Sequence, residues 1–335
     1  MPVELTPLTG TIGSAVRGVR LADAVEGATV AALRATLVDR KVLVFPGQHL
    51  DPDELVRAGR LFGELTPAHP VLPPLDGAHP EVLEIDATRS RTDPRYRDEY
   101  EQDTWHTDVS FMADPPLGSL LAGVVIPPAG GDTAFVDLQA AYASLSAPVQ
   151  VLVDGLRAEH DGRKEFDGFL RDNPEGGVWG GRRFTVLEPV VHPVVRVHPE
   201  SGRRGLFVNP TFTTRIVGLS RLESAGLLDL LYRHATAAEH TFRHRWAEGD
   251  VVVWDNRSTM HLGVRDYGDH HRVLHRVTVR GDVPVGVVPA AAVHAAGWSP
   301  CRGPLPPPQV VAALAHLGGD DAEAHQHRER PAPEA

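Results

Sequence analysis

The sequence predicts an α+β protein, mostly β with flanking helices, around a double-stranded β-helix (jelly-roll) core. Three observations predict it. From Trp105 onward the apolar pattern falls into many short strands. The connections between them are long. Helical segments with their own start signals flank them. A chain of 335 residues with 42% hydrophobic content can fill one large core, and barrels of this size commonly form one domain.

In chain order, residues 28–40 read as a helix with Leu33 and Leu37 on one face. Residues 41–47 read as a strand ended by a turn. Asp51-Pro52-Asp53-Glu54 is a helix start, with Asp51 as N-cap, Pro52 at the first helical position and Glu54 closing a capping box; the helix runs to about Phe62. Residues 66–104 are broken by Pro70, Pro73, Pro74, Pro80 and Pro94, with charges crowded at 89–103, and read as an irregular, lid-like insertion. Residues 118–126 are an apolar strand between proline pairs, and 138–156 look helical. Residues 190–198 and 205–208 look like strands. Ser220-Arg221-Leu222-Glu223 is a second capping box, followed by Leu227, Leu228, Leu230 and Leu231. Residues 246–254 and 272–280 read as strands separated by a turn-rich segment. The expected organisation is one domain over 1–298 and a disordered tail over 299–335, with a short helix near 310–317.

The formal net charge of −11 argues against a nucleic-acid or anionic-membrane binder, while leaving room for a local basic pocket. Cys301 is the one cysteine, which excludes an intrachain disulfide and fits a reducing compartment. No basic-then-apolar leader and no run of about 18 apolar residues occurs, so the expectation is a cytoplasmic protein.

Three segments carry chemistry. In Trp105-His106-Thr107-Asp108, a strand would put His106 and Asp108 on one face, about 6–7 Å apart at the backbone, where an imidazole and a carboxylate converge on one metal. Alone, His-x-Asp also suits a histidine bonded to a nearby carboxylate. In Trp254-Asp255-Asn256-Arg257-Ser258-Thr259-Met260-His261, an apolar strand delivers a polar turn whose His261 is a candidate third ligand. Two histidines and a carboxylate form the facial triad of non-haem iron(II) oxygenases, with three positions left open. In the 272–280 strand, Arg272 and Arg276 share a face, roughly 13 Å apart along the strand, opposite Val273, Val277 and Val279. Inward guanidinium groups require anions, so this face suits the distal carboxylate of 2-oxoglutarate and a second anion. An edge strand with its arginines in water is the alternative, and Arg280 suits it.

From about Leu5 to Val288 the chain resembles the taurine dioxygenase family of iron(II)/2-oxoglutarate oxygenases. The blocks that carry the resemblance are Trp105 to Phe111, Gly130-Gly131-Asp132-Thr133, Leu156 to Asp161, Phe207 to Ile216, Trp254 to Arg257, and Met260-His261 with Arg272 and Arg276. The resemblance implies His106, Asp108 and His261 as iron ligands, and Thr133 and Arg272 as contacts to 2-oxoglutarate. It implies Arg276, His69 and the Val109 N–H as contacts to the substrate anion, with Phe166 and Phe212 beside the substrate. It also implies dioxygen as co-substrate and a homo-oligomer. Leu72 stands where the taurine enzymes carry a tyrosine, Gln102 or a neighbour replaces another polar contact, and the 89–103 stretch is longer. The expected reaction is hydroxylation of a small anion, taurine or a related alkylsulfonate, with release of sulfite and an aldehyde. Alkyl sulfate esters or aryloxyalkanoates are the alternatives within the family. A non-catalytic metal-binding jelly roll and a hydrolytic zinc enzyme are the readings from other classes, and neither needs the paired arginines.

Overall fold

The computed structural model describes residues 3–92, 104–173 and 175–287. They belong to one compact unit, Met1–Pro289. The expected tail at 299–335, its short helix, the 298 boundary, Gln102 and most of the charged 89–103 stretch lie outside the described residues.

The fold is mixed, mostly β with few helices, and rests on two principal sheets. Their strands are β1 (Glu4–Pro7), β2 (Ser14–Arg17), β3 (Val42–Phe45), β4 (Leu83–Asp86), β5 (Gly118–Val125), β6 (Thr133–Asp137), β7 (Thr241–His244), β8 (Val251–Asp255), β9 (Thr259–Gly263) and β10 (Val273–Val279). The larger sheet has the order β1-β2-β3-β8-β5-β10-β4, and the smaller has β7-β6-β9. Among the described residues, only the β2–β3 pair is parallel.

The central strands of the large sheet are apolar on both faces, which explains why their sequences read as continuous hydrophobic runs. Leu43, Phe45, Leu120, Ala122, Val251, Val253, Val277 and Val279 pack outward on Leu33 and Leu37 of the Gly27–Arg40 helix and Leu55 and Ala58 of the Pro52–Arg60 helix. Val42, Val44, Leu121, Val252, Trp254 and Leu274 point the other way and share a core with Phe135 of β6, whose ring centroid lies 5.5 Å from that of Trp254. The two sheets therefore face each other across this second layer, and the inner ends of β4, β5, β6, β8, β9 and β10 bound the space between them. The far face of the small sheet, at Val136 and Met260, packs on Leu228 and Leu231 of the Arg221–Ala235 helix.

Both capping boxes form as expected, at Asp51/Glu54 and Ser220/Glu223. Several boundaries differ from expectation. The 66–104 stretch is not wholly irregular: Leu83–Asp86 pairs with β10, and Ala87–Thr92 is a helix. Its proline breaks hide a four-residue strand whose pairing partner lies about 190 positions away in sequence, as in Leu83↔Arg276. The expected 138–156 helix is two, Leu138–Ala143 and Ala147–Asp154, because the backbone is extended at Ser146 and a second helix starts after it with a proline in its first turn. The expected 190–198 strand divides at Val194 into Val190–Pro193 and Val195–Val197, which join different small sheets. The 246–254 strand begins only at Val251, and the segment read as turns after it contains β9, which carries His261.

Candidate active site

All the predicted site residues line one cavity of about 230 Å³ between the two sheets: His69, His106, Asp108, Val109, Thr133, Phe166, Phe212, His261, Arg272 and Arg276. The expectation that His106 and Asp108 share a face of a strand is corrected. His106 makes a single bridge to His261, through His106 N–H to His261 O at 2.9 Å and His261 N–H to His106 O at 2.7 Å. The chain then turns over Asp108 to Met112, with Val109 at φ +54°. A β-branched residue in the left-handed region is a strained position that the surroundings must hold. Ser110 does part of that: its hydroxyl oxygen accepts from Asn209 Nδ2 at 2.9 Å and lies 3.1 Å from His160 Nδ1.

One donor atom each from His106, Asp108 and His261 lies within 4.8 Å of the other two. The protonation states suit a cation. Burial alone would raise the Asp108 carboxyl, but the Arg276 guanidinium and the two histidines outweigh it and hold it well below the usual carboxylate range. Burial, with the charges of His106 and Arg276, pushes the His261 imidazole down to about 3, so that it stays neutral near pH 7. His106 Nδ1 lies 2.9 Å from Thr104 O. A carbonyl only accepts, so Nδ1 carries a hydrogen toward it, and Nε2 is the nitrogen turned toward Asp108. Two imidazoles and an ionised carboxylate, with Asp108 and His261 buried and His106 half-buried, are a donor set that fits a divalent transition metal.

The arginines of β10 stand beside this cluster. Arg272 Nε donates to Gly131 O at 3.1 Å, and its guanidinium lies 5.7 Å from the Tyr267 ring centre. The glycine pair before Thr133 makes that approach possible. A Cβ on Gly130 would meet the Asp266 carbonyl oxygen at 2.7 Å, and one on Gly131 would meet Arg272 Nε at 3.0 Å. Both glycines also have positive φ, at +77° and +73°. Thr133 Oγ1 accepts from Trp246 Nε1 at 2.9 Å, which leaves the hydroxyl hydrogen to donate. Arg276 Nη1 donates to Asp108 Oδ1 at 2.5 Å. Its Nε and Nη2 are buried with no hydrogen-bond partner among the described residues. Orphaned guanidinium donors in a cavity call for an anion.

His69 complements them. Its Nδ1 accepts from the N–H groups of Val71 (3.1 Å) and Leu72 (3.0 Å), so the ring hydrogen sits on Nε2. Burial and the Arg276 charge hold the ring well below its ordinary pKa, which keeps it a neutral donor. Its ring lies 4.9 Å from Phe166, and Phe111 joins Phe166 and Phe212 at 5.3 and 4.9 Å.

Sequence reasoning missed much of the remaining wall: Leu83, Ile85, Leu121 and Leu274, with Glu165 and Arg265 as further charged groups. The alternation of Leu83 and Ile85 in Leu83-Glu84-Ile85-Asp86 was the available signal for the first two.

The family model for taurine catabolism dioxygenase TauD, TfdA family, matches residues 4–278. The chain belongs to this family. It is an alpha-ketoglutarate-dependent dioxygenase, and the non-catalytic and zinc-hydrolase readings fall with that. Over 291 residues it is 40% identical to an alpha-ketoglutarate-dependent sulfate ester dioxygenase of Pseudomonas putida, covering 86% of this chain and 92% of that one. A solved taurine dioxygenase from Burkholderia xenovorans is 40% identical with a TM-score of 0.70, over 85% of this chain and 93% of that one. The structure of AAD-2 in complex with Mn(II) and N-oxalylglycine is 26% identical with a TM-score of 0.67, over 86% and 100%. Among the described residues of this TauD-family chain, no helix is long and apolar enough to cross a membrane.

Proposed function

We propose that this dioxygenase uses iron(II), held by His106, Asp108 and His261, to hydroxylate a small organic anion, an alkylsulfonate such as taurine, with release of sulfite and an aldehyde. The observation that carries the reading is the pair of arginines on one face of β10, in the same cavity as the two-histidine, one-carboxylate cluster. The family relation and the two facing sheets support a double-stranded β-helix as the scaffold.

Bound there, iron(II) with 2-oxoglutarate and dioxygen supplies the oxidising power to hydroxylate an unactivated carbon, leaving succinate and carbon dioxide. The residues supply position and charge. Arg272 offers its guanidinium to the distal carboxylate of 2-oxoglutarate, and the Thr133 hydroxyl donates beside it. The orphaned Nε and Nη2 of Arg276, the Nε2–H of His69 and the Val109 N–H are the donors for the substrate oxyanion. The Phe111, Phe166 and Phe212 rings form an apolar cluster at the cavity and exclude water from the carbon to be oxidised. Hydroxylation of the carbon that bears the sulfonate gives an adduct that expels sulfite and closes to the aldehyde.

A specific observation favours sulfate esters as a second reading. Leu72, Leu83, Ile85, Leu121 and Leu274 give the cavity an apolar wall suited to an alkyl chain, and the Pseudomonas putida relative is named for such esters. One experiment separates the readings. The enzyme is loaded anaerobically with iron(II) and 2-oxoglutarate, then exposed to oxygen with taurine, longer alkylsulfonates, alkyl sulfates and an aryloxyalkanoate. Succinate with sulfite supports the sulfonate reading, and succinate with sulfate supports the ester. Succinate with neither moves the substrate to a sulfur-free acid. No substrate-linked succinate with any compound sinks the proposal.

A further inference from the structure

A chain of buried hydrogen bonds runs behind the metal-facing carboxylate, and the site as described makes no use of it. Ser119 Oγ lies 2.5 Å from Asp108 Oδ2, Asn256 Nδ2 lies 2.8 Å from Ser119 Oγ, and Trp254 Nε1 lies 2.8 Å from Asn256 Oδ1. All four side chains are at most 2% exposed. Both ends of the chain have fixed polarity. An indole N–H only donates, and an ionised carboxylate only accepts. Trp254 therefore fixes which way the Asn256 amide faces, with its oxygen toward the indole and its NH₂ toward Ser119. Ser119 then accepts from Asn256, and its one hydrogen must go to Asp108 Oδ2. No alternative arrangement satisfies every group.

The chain is anchored in the sheet rather than in a loop. Trp254 and Ser119 are register partners between β8 and β5. Asn256 is held by its own N–H to Leu117 O at 2.9 Å. On the other side of the carboxylate, Oδ1 accepts from Arg276 Nη1 at 2.5 Å and lies 4.0 Å from both His106 Nε2 and His261 Nε2, so it is the oxygen turned toward the histidines.

We propose that Ser119 is a positioning residue for Asp108: with Asn256 and Trp254 behind it, Ser119 keeps Oδ2 occupied and presents only Oδ1 to the metal. The proposal rests on the reading that Asp108 is a metal ligand. One-oxygen ligation has a chemical consequence. Two imidazoles and one carboxylate oxygen leave three positions of an octahedron open, enough for a chelating 2-oxo acid and dioxygen. A carboxylate free to rotate and bind through both oxygens would take one of those positions. The hydrogen bond also draws charge into Oδ2 and fixes the rotamer of the ligand, the usual work of groups behind a metal site.

The test is a titration of the metal-free protein with Mn(II) alone, under anaerobic conditions, reading free Mn(II) by electron paramagnetic resonance. Wild type, Asp108→Ala, Ser119→Ala and Asn256→Ala are compared, each with its metal-free thermal midpoint. Asp108→Ala is expected to lose tight binding. Ser119→Ala is expected to bind about 10–100-fold more weakly than wild type, and Asn256→Ala to move in the same direction by less. Ser119→Ala and Asn256→Ala binding within threefold of wild type, while Asp108→Ala has lost the ion, overturns the proposal. Asp108→Ala binding like wild type removes the metal reading itself, a different result. Should Ser119→Ala fail to fold, Asn256→Ala decides the matter, since it leaves the Ser119 hydroxyl in place and removes only its anchor.

Discussion

Arg272 and Arg276 lie four residues apart on one strand, yet their surroundings set them to different work. Arg272 is braced by a backbone carbonyl and an aromatic ring. Arg276 is braced by Asp108 and keeps two buried donors for something else. Their removal should therefore separate kinetically. Arg272→Ala is expected to raise the KM for 2-oxoglutarate at least tenfold, roughly 1.4 kcal/mol of lost binding, with a smaller effect on the substrate KM. Arg276→Ala should do the reverse. Steady-state kinetics with each reactant varied in turn checks both, and identical behaviour of the two variants would contradict the division. These roles were legible because Arg272, Leu274 and Arg276 alternate with Val273 and Val277, and alternation in a strand is local information. Ser119 was not legible, because a small polar residue at the head of an apolar strand has no signature until its neighbour across the ladder is known, and the role of Asn256, just past the end of β8, depends on Ser119.

At the scale of elements, the Gly130-Gly131 turn before β6 is the most exacting. Gly131→Ala puts a methyl at positive φ and 3.0 Å from Arg272 Nε. The expected cost is about 1–2 kcal/mol of stability, together with a raised KM for 2-oxoglutarate. A lowered thermal midpoint with an unchanged KM would mean that the turn serves folding alone. The Ser220 cap gives a contrasting case. Its hydroxyl accepts from Glu223 N–H far from the cavity, so Ser220→Ala should cost about 1 kcal/mol and leave kinetics intact. Differential scanning calorimetry measures both. The two helix starts were readable in the sequence because a capping box is complete within four residues. The β4 strand was not, since its identity depends on β10. The bridge between His106 and His261 was invisible for the same reason, although each histidine was individually conspicuous.

For the whole molecule, the buried titratable groups set the response to acid. Burial keeps His160 neutral well below its ordinary pKa and pushes His192 down to about 4. The unfolded chain takes up these protons near pH 6.5, whereas the folded chain resists them, so acid favours unfolding. Each such histidine contributes a loss of up to about 1.4 kcal/mol per pH unit, beginning below pH 6.5 and continuing to about 4 for His192. Asp255 extends the trend. Burial would raise it, but Arg257 and His198 hold it below the usual range, so its contribution is present above about pH 3.9 and is lost as the pH falls further. Urea midpoints of the metal-free protein at pH 7.5, 6 and 5 should fall in that order, and a flat profile would contradict the account. The same interior has a consequence for ion selection. His106 and His261 are tied to each other by two backbone hydrogen bonds, and Ser119 holds Asp108 beside them. On the proposed reading these three side chains hold the metal, and for such a donor set intrinsic affinity ranks zinc and copper above ferrous iron. On that reading the choice of metal rests with supply rather than with the donor set. Activity in a crude extract should then report the local supply of iron against zinc as much as the amount of enzyme present.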